Sequence, residues 1–426
     1  MKKIAALLFG MLLLASFAQA EPVKLTVLAM VEPGTVGADV FKMTVDDFKN
    51  SHPDIELEIE EVAHDPFHSK LQAMAVAKQL PDVFFLWPGK RTGYVTAAGL
   101  AKDLRPWLQG KEDQFTTGLL AAQGPNGEIF EVPQSVTSTH VVFTNDRLLK
   151  ELGLTYPKTL DELIAQSKKI KEAGYVTLSM GNSEGWPMQS CFMSTLTERA
   201  GGLAWFDKVV KGDGAAFTDP EFVNALTVLK TLVDNEVFVP GMNQMDRTQA
   251  VELFAQEKAV YYIEGDWRIT DFQKTLTPEQ KAYISLNTFP EIPNQKGLAG
   301  SQSAVPGTGY GMNAALEGAK ADAAWEFIWQ FGGPVGSQLR IEKGGVIPAY
   351  KNVTVPEDID PLLKKLIAFL ETHPMTYVLD DKLDGEGMMN VLNPGLQELT
   401  MGAKTPEDLA KAYEEWVAAN DSNRKK

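Results

Sequence analysis

The chain has a single cysteine, Cys191, so it forms no internal disulfide and must draw its stability from ordinary hydrophobic cores. Long apolar runs are also missing. The N-terminal stretch MKKIAALLFGMLLLASFAQA has an apolar run from Ile4 to about Leu14, short of the roughly 20 residues that cross a bilayer. Its two lysines, apolar centre and small residues at Ala18 and Ala20 read as a secretory leader, with cleavage expected after Ala20. No cysteine stands at that point to carry a lipid, and no later segment is apolar for long enough to span a membrane. The expectation is a periplasmic chain with no direct membrane insertion once the leader is gone. A basic surplus is absent too. The formal net charge is −16, or −18 without Lys2 and Lys3, which argues against nucleic acid and anionic membranes as partners. There is no H-E-x-x-H helix, internal repeat or low-complexity tract.

What the sequence does hold is a regular alternation of strand and helix signals. KLTVLAM (24–30) reads as a strand, and Val40–Asn50 sets Phe41, Val45 and Phe48 on one helical face. IELEIEEV (55–62) alternates apolar and acidic residues, a strand with one wet face. Phe67, Leu71 and Met74 mark a helix over Pro66–Lys78, and DVFFLW (82–87) is the unbroken apolar run of a strand covered on both faces. After Pro133 the pattern restarts with HVVFTN (140–145), a helix from Thr159 to Lys171 with Thr159 and Glu162 as a capping box, and YVTLSM (175–180). Amphipathic spacing then predicts helices over Asp219–Asp234 and Gln249–Gln256, the second feeding the strand AVYYIEG. The C-terminal third reads as mostly helical, with a Trp325/Ile328/Trp329 stripe and a helix over Thr405–Ala419. The fold class is therefore α/β, and the 406 residues after the leader suggest two or three domains.

Seven segments carry a resemblance: KLTVLAM, FKNSHPDIELEI, LPDVFFLW, VPQSVTSTHVVFTNDRLLKELGL, FAQEKAVYYIEGDW, GYGMN and KGGVIPAYKNV. In order and spacing they resemble the extracellular solute-binding proteins of sugar-type ATP-binding-cassette importers, the group that includes maltose-binding protein. The resemblance covers essentially the whole chain after the leader. It implies a two-lobed periplasmic-binding-protein fold, each lobe a mixed β-sheet flanked by helices, with three hinge crossings and ligand in the cleft. It also implies a monomer without enzymatic activity that hands a small-molecule carbohydrate to membrane permease subunits. The crossings would fall near Gln134–Ser135, Gly265–Asp266 and Phe331–Pro334. Lobe I would then be 21–134 plus 266–331, and lobe II 135–265 plus 332–426.

Pyranoses present an apolar C–H face and a rim of hydroxyls, so their sites combine aromatic planes with charged and amide hydrogen-bonding groups. Strand ends in open α/β sheets face the ligand crevice. In YYIEGDWRITDF (261–272) the strand ends at Gly265, and Trp267 follows between Asp266 and Arg268, offering both kinds of contact. Trp87 ends DVFFLW and is followed by Lys90 and Arg91. Glu32 follows the first strand, as a hydroxyl acceptor or an exposed turn carboxylate. Trp186, in GNSEGWPM, stands where the resemblance implies an aromatic. Ser135 and Thr137 lie at a crossing, to contact ligand or only to bend. In GTGYGMN (307–313) the bare backbone of Gly309 and Gly311 would let ligand approach beside Tyr310; the glycine spacing is not the dinucleotide fingerprint, and no cofactor is expected. Asp381 or Asp384 either points into the cleft or is solvated. His64 and Asp65 are further hydroxyl partners. His64 and His68 have a spacing that would suit a metal on a helix, but Pro66 suggests that only His68 is helical.

Two other functions compete. A glycan-cleaving enzyme needs two carboxyl groups roughly 5–10 Å apart, for which Asp266 and Glu32 are the candidates. A binder of glycerol-phosphate or another small anion would call for more cations than Lys90, Arg91 and Arg268.

Overall fold

A computed structural model of the chain describes residues 22–116, 118–120, 124, 126–344 and 346–420, and the expected leader lies outside them. The strands among these residues are β1 (Val23–Met30), β2 (Ile55–Val62), β3 (Val83–Leu86), β4 (Val132–Pro133), β5 (Ser135–Ser138), β6 (Val141–Asn145), β7 (Val176–Ser179), β8 (Ala259–Glu264), β9 (Ile284–Asn287), β10 (Gln302–Pro306), β11 (Gly309–Met312), β12 (Ile347–Pro348) and β13 (Met375–Thr376). No helix among the described residues is long and apolar enough to cross a membrane.

The first sheet has the order β2-β1-β3-β11-β4. β1 is parallel to β2 and β3, while β11 runs antiparallel to β3 and β4, so the sheet is mixed. Its central strand β3 is buried at all four positions, as the unbroken run VFFL requires, whereas the edge strand β2 exposes Glu56 and Glu58 at alternate positions only partly covered. Helix Val36–Ser51 packs Phe41, Val45 and Phe48 on this sheet; Thr35 caps it by accepting the Ala38 N–H at 3.2 Å.

A second large sheet has the order β7-β8-β6-β9. Its residues alternate between two cores: Leu178, Tyr261 and Ile263 belong to one with Leu226 and Leu229, and Phe143 and Tyr262 to another with Phe254, Phe272 and Leu362. All six residues of β8 are buried because both faces are covered. Thr159 caps helix Leu160–Glu172 by accepting the Glu162 N–H, but the Glu162 carboxylate reaches Lys158 N at 2.7 Å, one residue before the expected partner.

Between these lies a small sheet, β12-β5-β10-β13. β5 links β4 of the first sheet to β6 of the other, and β10 links β9 back to β11, so these antiparallel partners carry two of the chain's crossings. The expected crossing at Gly265–Asp266 is therefore moved to β10. Beyond β8 the chain turns into helix Arg268–Thr275, whose Ile269 and Phe272 are buried with Phe143 and Tyr262, and β9 then pairs with β6. The apolar face of that helix ties residues 266–287 to the sheet that β8 has just left.

Gly309 and Gly311 were expected to admit ligand, and the strands use them instead. A Cβ on Gly309 would lie 2.1 Å from Val132 O, and one on Gly311 2.3 Å from Phe130 O. Gly309→Ala should destabilise the chain by about 1–3 kcal/mol through overpacking. Denaturant unfolding checks this; an unchanged midpoint contradicts it.

Candidate functional site

A cavity of 630 Å³ opens between the two large sheets, lined by residues from both and from the small sheet that joins them. Glu32, His64, Trp87, Arg91, Ser135, Thr137, Trp186, Asp266, Trp267, Arg268, Tyr310 and Asp381 line it; Asp65, Lys90 and Gly309 do not.

One wall is aromatic. Trp186 and Trp267 meet at a centroid distance of 6.1 Å, and His64 lies 5.4 Å from Trp186. The glycine before Trp267 makes this possible: a Cβ on Gly265 would sit 2.1 Å from the indole, so the ring folds back over bare backbone. Trp267 thereby precedes helix Arg268–Thr275 with its Nε1 donating to Glu264 at 2.8 Å. Trp87 is more deeply placed, at 6% exposure, with His68 4.1 Å from its ring and Phe67 and Phe85 packed edge-on. It lines the cavity mainly as part of the first core. Burial, helped by nearby Arg91 and His64, pushes the His68 imidazole down to about 2, so this partner of Trp87 is neutral.

Glu264, the last residue of β8, is 2% exposed and anchors that wall. It accepts from the Tyr262 hydroxyl and Trp267 Nε1, and pairs with Arg268 Nε at 3.0 Å and Arg247 Nη1 at 3.5 Å. Burial opposes its charge, but Arg268, Arg247 and the tyrosine hydroxyl outweigh it and hold the carboxyl below the usual range. Arg268 is bound on its other side by Asp271 at 2.6 Å. It is therefore a framework cation more than the free donor expected of it.

Asp266 grips the crossing strand: its backbone N–H donates to Ser138 O at 2.8 Å and its carboxylate accepts Ser138 N–H at 2.9 Å. Burial raises this carboxyl to about 7, against the opposing hydrogen bonds from the Ser138 and Trp267 backbones. At the far end of the cleft, Asp381 is buried beside Asp380, which pairs with Arg91 at 3.0 Å. Burial, and then the charge of Asp380, drives Asp381 well above the carboxylate range against Arg91 and Lys382. The main chain is tight here too: Gly89 has φ +68°, and a Cβ on it would lie 2.2 Å from Asp381 O.

Several expectations need correction. Tyr310 is 2% exposed and packs against Phe85, Phe327 and Phe331, so its ring belongs to the first core although it reaches the cavity edge. Lys90 is exposed away from the cavity, and Asp65 instead faces Arg247 at 3.7 Å. His64 does not precede its helix. The helix spans His64–Val76, because Pro66 in its first turn needs no N–H partner, and Glu32 accepts the His64 N–H at 3.1 Å. The GNSEG turn (181–185) has G-x-S-x-G spacing, but the histidines bond elsewhere: His64 to Asp65, His140 to Cys191 O and His373 to Phe369 O.

Sequence reasoning missed Arg247, whose Cζ lies 4.9 Å from the Trp186 ring, and also Gln134 and Arg340 in the cavity lining. Arg247 had a local signal. Asp246 and Gln249 form a full capping box, which starts the helix at Arg247 and aims its first turn at the cleft.

The sequence profile described as "bacterial extracellular solute-binding protein" matches residues 34–328. An uncharacterised ABC transporter extracellular-binding protein of Pyrococcus horikoshii is 23% identical over 54% of this chain and 52% of its own length. A probable sugar-binding periplasmic protein of Mesorhizobium japonicum is 26% identical over 47% and 48%. The chain thus spans about half the length of these curated relatives. Among solved structures, a chitin oligosaccharide binding protein superposes with a TM-score of 0.82 at 22% identity, covering 93% of this chain and 99% of that one. That likeness establishes the two-lobed α/β fold.

Because Asp266 titrates near 7 when folded and near 3.9 when unfolded, its contribution to stability is fully present below about pH 4 and lost as pH rises through about 7. Asp266→Asn should gain relative to the parent chain by up to about 4 kcal/mol between pH 4 and pH 8. Denaturant midpoints across that range check it; parallel curves contradict it.

Proposed function

The chain belongs to the bacterial extracellular solute-binding protein family, and from that premise we propose that it is the carbohydrate-binding component of an ABC importer. The observation that carries this reading is the wall of Trp186, Trp267 and His64 facing a 630 Å³ cavity whose polar lining groups include hydroxyls, carboxylates and guanidiniums. That volume lies within the roughly 300–1,000 Å³ usual for small-molecule sites. Aromatic planes take the C–H face of a mono- to oligosaccharide, and the polar groups take its hydroxyls.

In this reading the lobes are divided by strand pairing. One holds 22–134 and roughly 307–332, the other 139–301 and most of the chain after β12, with β5, β10 and the segment before β12 as crossings. Ligand bridges them and favours the closed form by the contacts it makes only there. The closed monomer then docks on the permease, after export to the periplasm by the N-terminal leader. Glycan cleavage is the weaker reading. Of its two candidate carboxylates, Asp266 is engaged by Ser138, and Glu32 accepts the His64 N–H at the start of a helix.

A thermal-shift panel of mono-, di- and oligosaccharides, with glycerol phosphate alongside, tests the proposal, since a native-state ligand raises the melting temperature by mass action. Any hit should be recovered intact after incubation; a cleaved product would favour the enzyme. Trp186→Ala and Trp267→Ala should each weaken saccharide affinity about 10-fold while the fold persists. Unchanged calorimetric affinity with a collapsed melting temperature would make these rings core residues. Gly89→Ala should also weaken binding about 10-fold, because its methyl group blocks the contact with Asp381 that closure brings together. Scattering profiles of the saccharide-saturated variant should stay extended; a compact one contradicts this.

A further inference from the structure

Five cationic side chains line the cavity: Arg91, Arg247, Arg268, Lys274 and Arg340. Four are neutralised by carboxylates. Arg91 pairs with Asp380, Arg247 with Glu264 and Asp65, Arg268 with Glu264 and Asp271, and Lys274 with Asp39.

Arg340 is the exception. It is 8% exposed, and among the described residues no carboxylate lies within ion-pair distance of it. Its Nη1 donates to Phe331 O at 2.6 Å and its Nη2 to the side-chain oxygen of Gln134. The first contact is with a carbonyl in the last turn of helix Gly318–Gly332, whose dipole offsets part of the charge. Both partners are nonetheless neutral, and a guanidinium has five N–H donors in a planar fork. Burial lowers its pKa to about 10 against the pull of Tyr310, as expected for a cation without a counter-charge. An uncompensated buried charge of this kind carries a desolvation cost of several kcal/mol.

The carboxylates of the cavity do not remove the imbalance. Asp271 is held by Arg268, burial favours the neutral forms of Asp266 and Asp381, and Glu32 and Glu252 are exposed. A chain of net charge −16 thus encloses a cleft whose floor is positive at Arg340.

We propose that the ligand is an acidic saccharide, one with a uronate carboxylate that seats against Arg340 and Gln134 at the floor of the cleft. This rests on the carbohydrate reading above. A planar carboxylate matches the fork of one guanidinium, whereas a phosphate would draw on several cations that here already have partners.

The test is calorimetric titration of the full chain with matched pairs, glucuronate against glucose and di- and trigalacturonate against their neutral counterparts, with glucose-6-phosphate as a third arm. The acidic member should bind about 10–100-fold more tightly than its neutral partner, a preference that shrinks in high salt. Arg340→Gln should abolish that preference, so that the acidic and neutral members of each pair bind within about threefold of each other. Arg340→Lys, which keeps the charge, should retain part of it and covers the case in which the glutamine variant does not fold. Equal or tighter binding of neutral sugars overturns this inference and leaves the carbohydrate reading standing. A preference for the phosphate overturns the uronate. A preference that survives in Arg340→Gln overturns the subsite. If no saccharide of either kind binds, both readings fall.

Discussion

One buried carboxylate organises the cleft. Glu264 ends a strand covered on both faces, where a charge is expensive unless every oxygen is engaged, and four side chains engage it: Tyr262, Trp267, Arg268 and Arg247. Through the Trp267 indole N–H it fixes one ring of the aromatic wall. Through Arg247, which lies over Trp186, it steadies the other. The two guanidiniums that keep Glu264 ionised would repel each other without it. The rings therefore face the cavity because a charge cluster behind them sets their orientation, and the bare backbone of Gly265 leaves room for the fold-back.

The same short stretch connects the wall to the crossings. Asp266, two residues after Glu264, exchanges hydrogen bonds with Ser138 of β5, and β5 pairs with β10, so the strands that join the two sheets are tied to residues that line the cavity. Three further ion pairs, Arg91–Asp380, Arg247–Asp65 and Lys274–Asp39, join cavity-lining residues to segments distant in sequence. These are partly exposed pairs of modest individual worth. They would suit the opening and closing proposed above, while the cluster around Glu264 is buried.

Much of this was legible in the sequence where the signal is local. Phe41, Val45 and Phe48 sit one above another on a helix, and VFFL is apolar throughout because β3 is central. Trp267 followed from a strand end and Trp186 from the family resemblance, and both line the cavity. What failed was long-range. A glycine reads alike whether it admits a ligand or another strand, and only the pairing of β11 with β3 and β4 decides that Gly309 does the second. The crossing assigned to Gly265–Asp266 failed because the pull of Ile269 and Phe272 toward Phe143 cannot be read from hydrophobic spacing alone. Arg340 lies more than 200 positions from Gln134 in sequence, and nothing local announces their contact.

The most direct measurement is a crystal structure of the chain grown with the saccharide that most raises its melting temperature. The account predicts one sugar ring in the cavity with its C–H face against the indole of Trp186 or Trp267, and the lobes drawn together over it. A saccharide bound elsewhere, or one in the cavity with both indoles turned away and touching no part of it, would contradict the account.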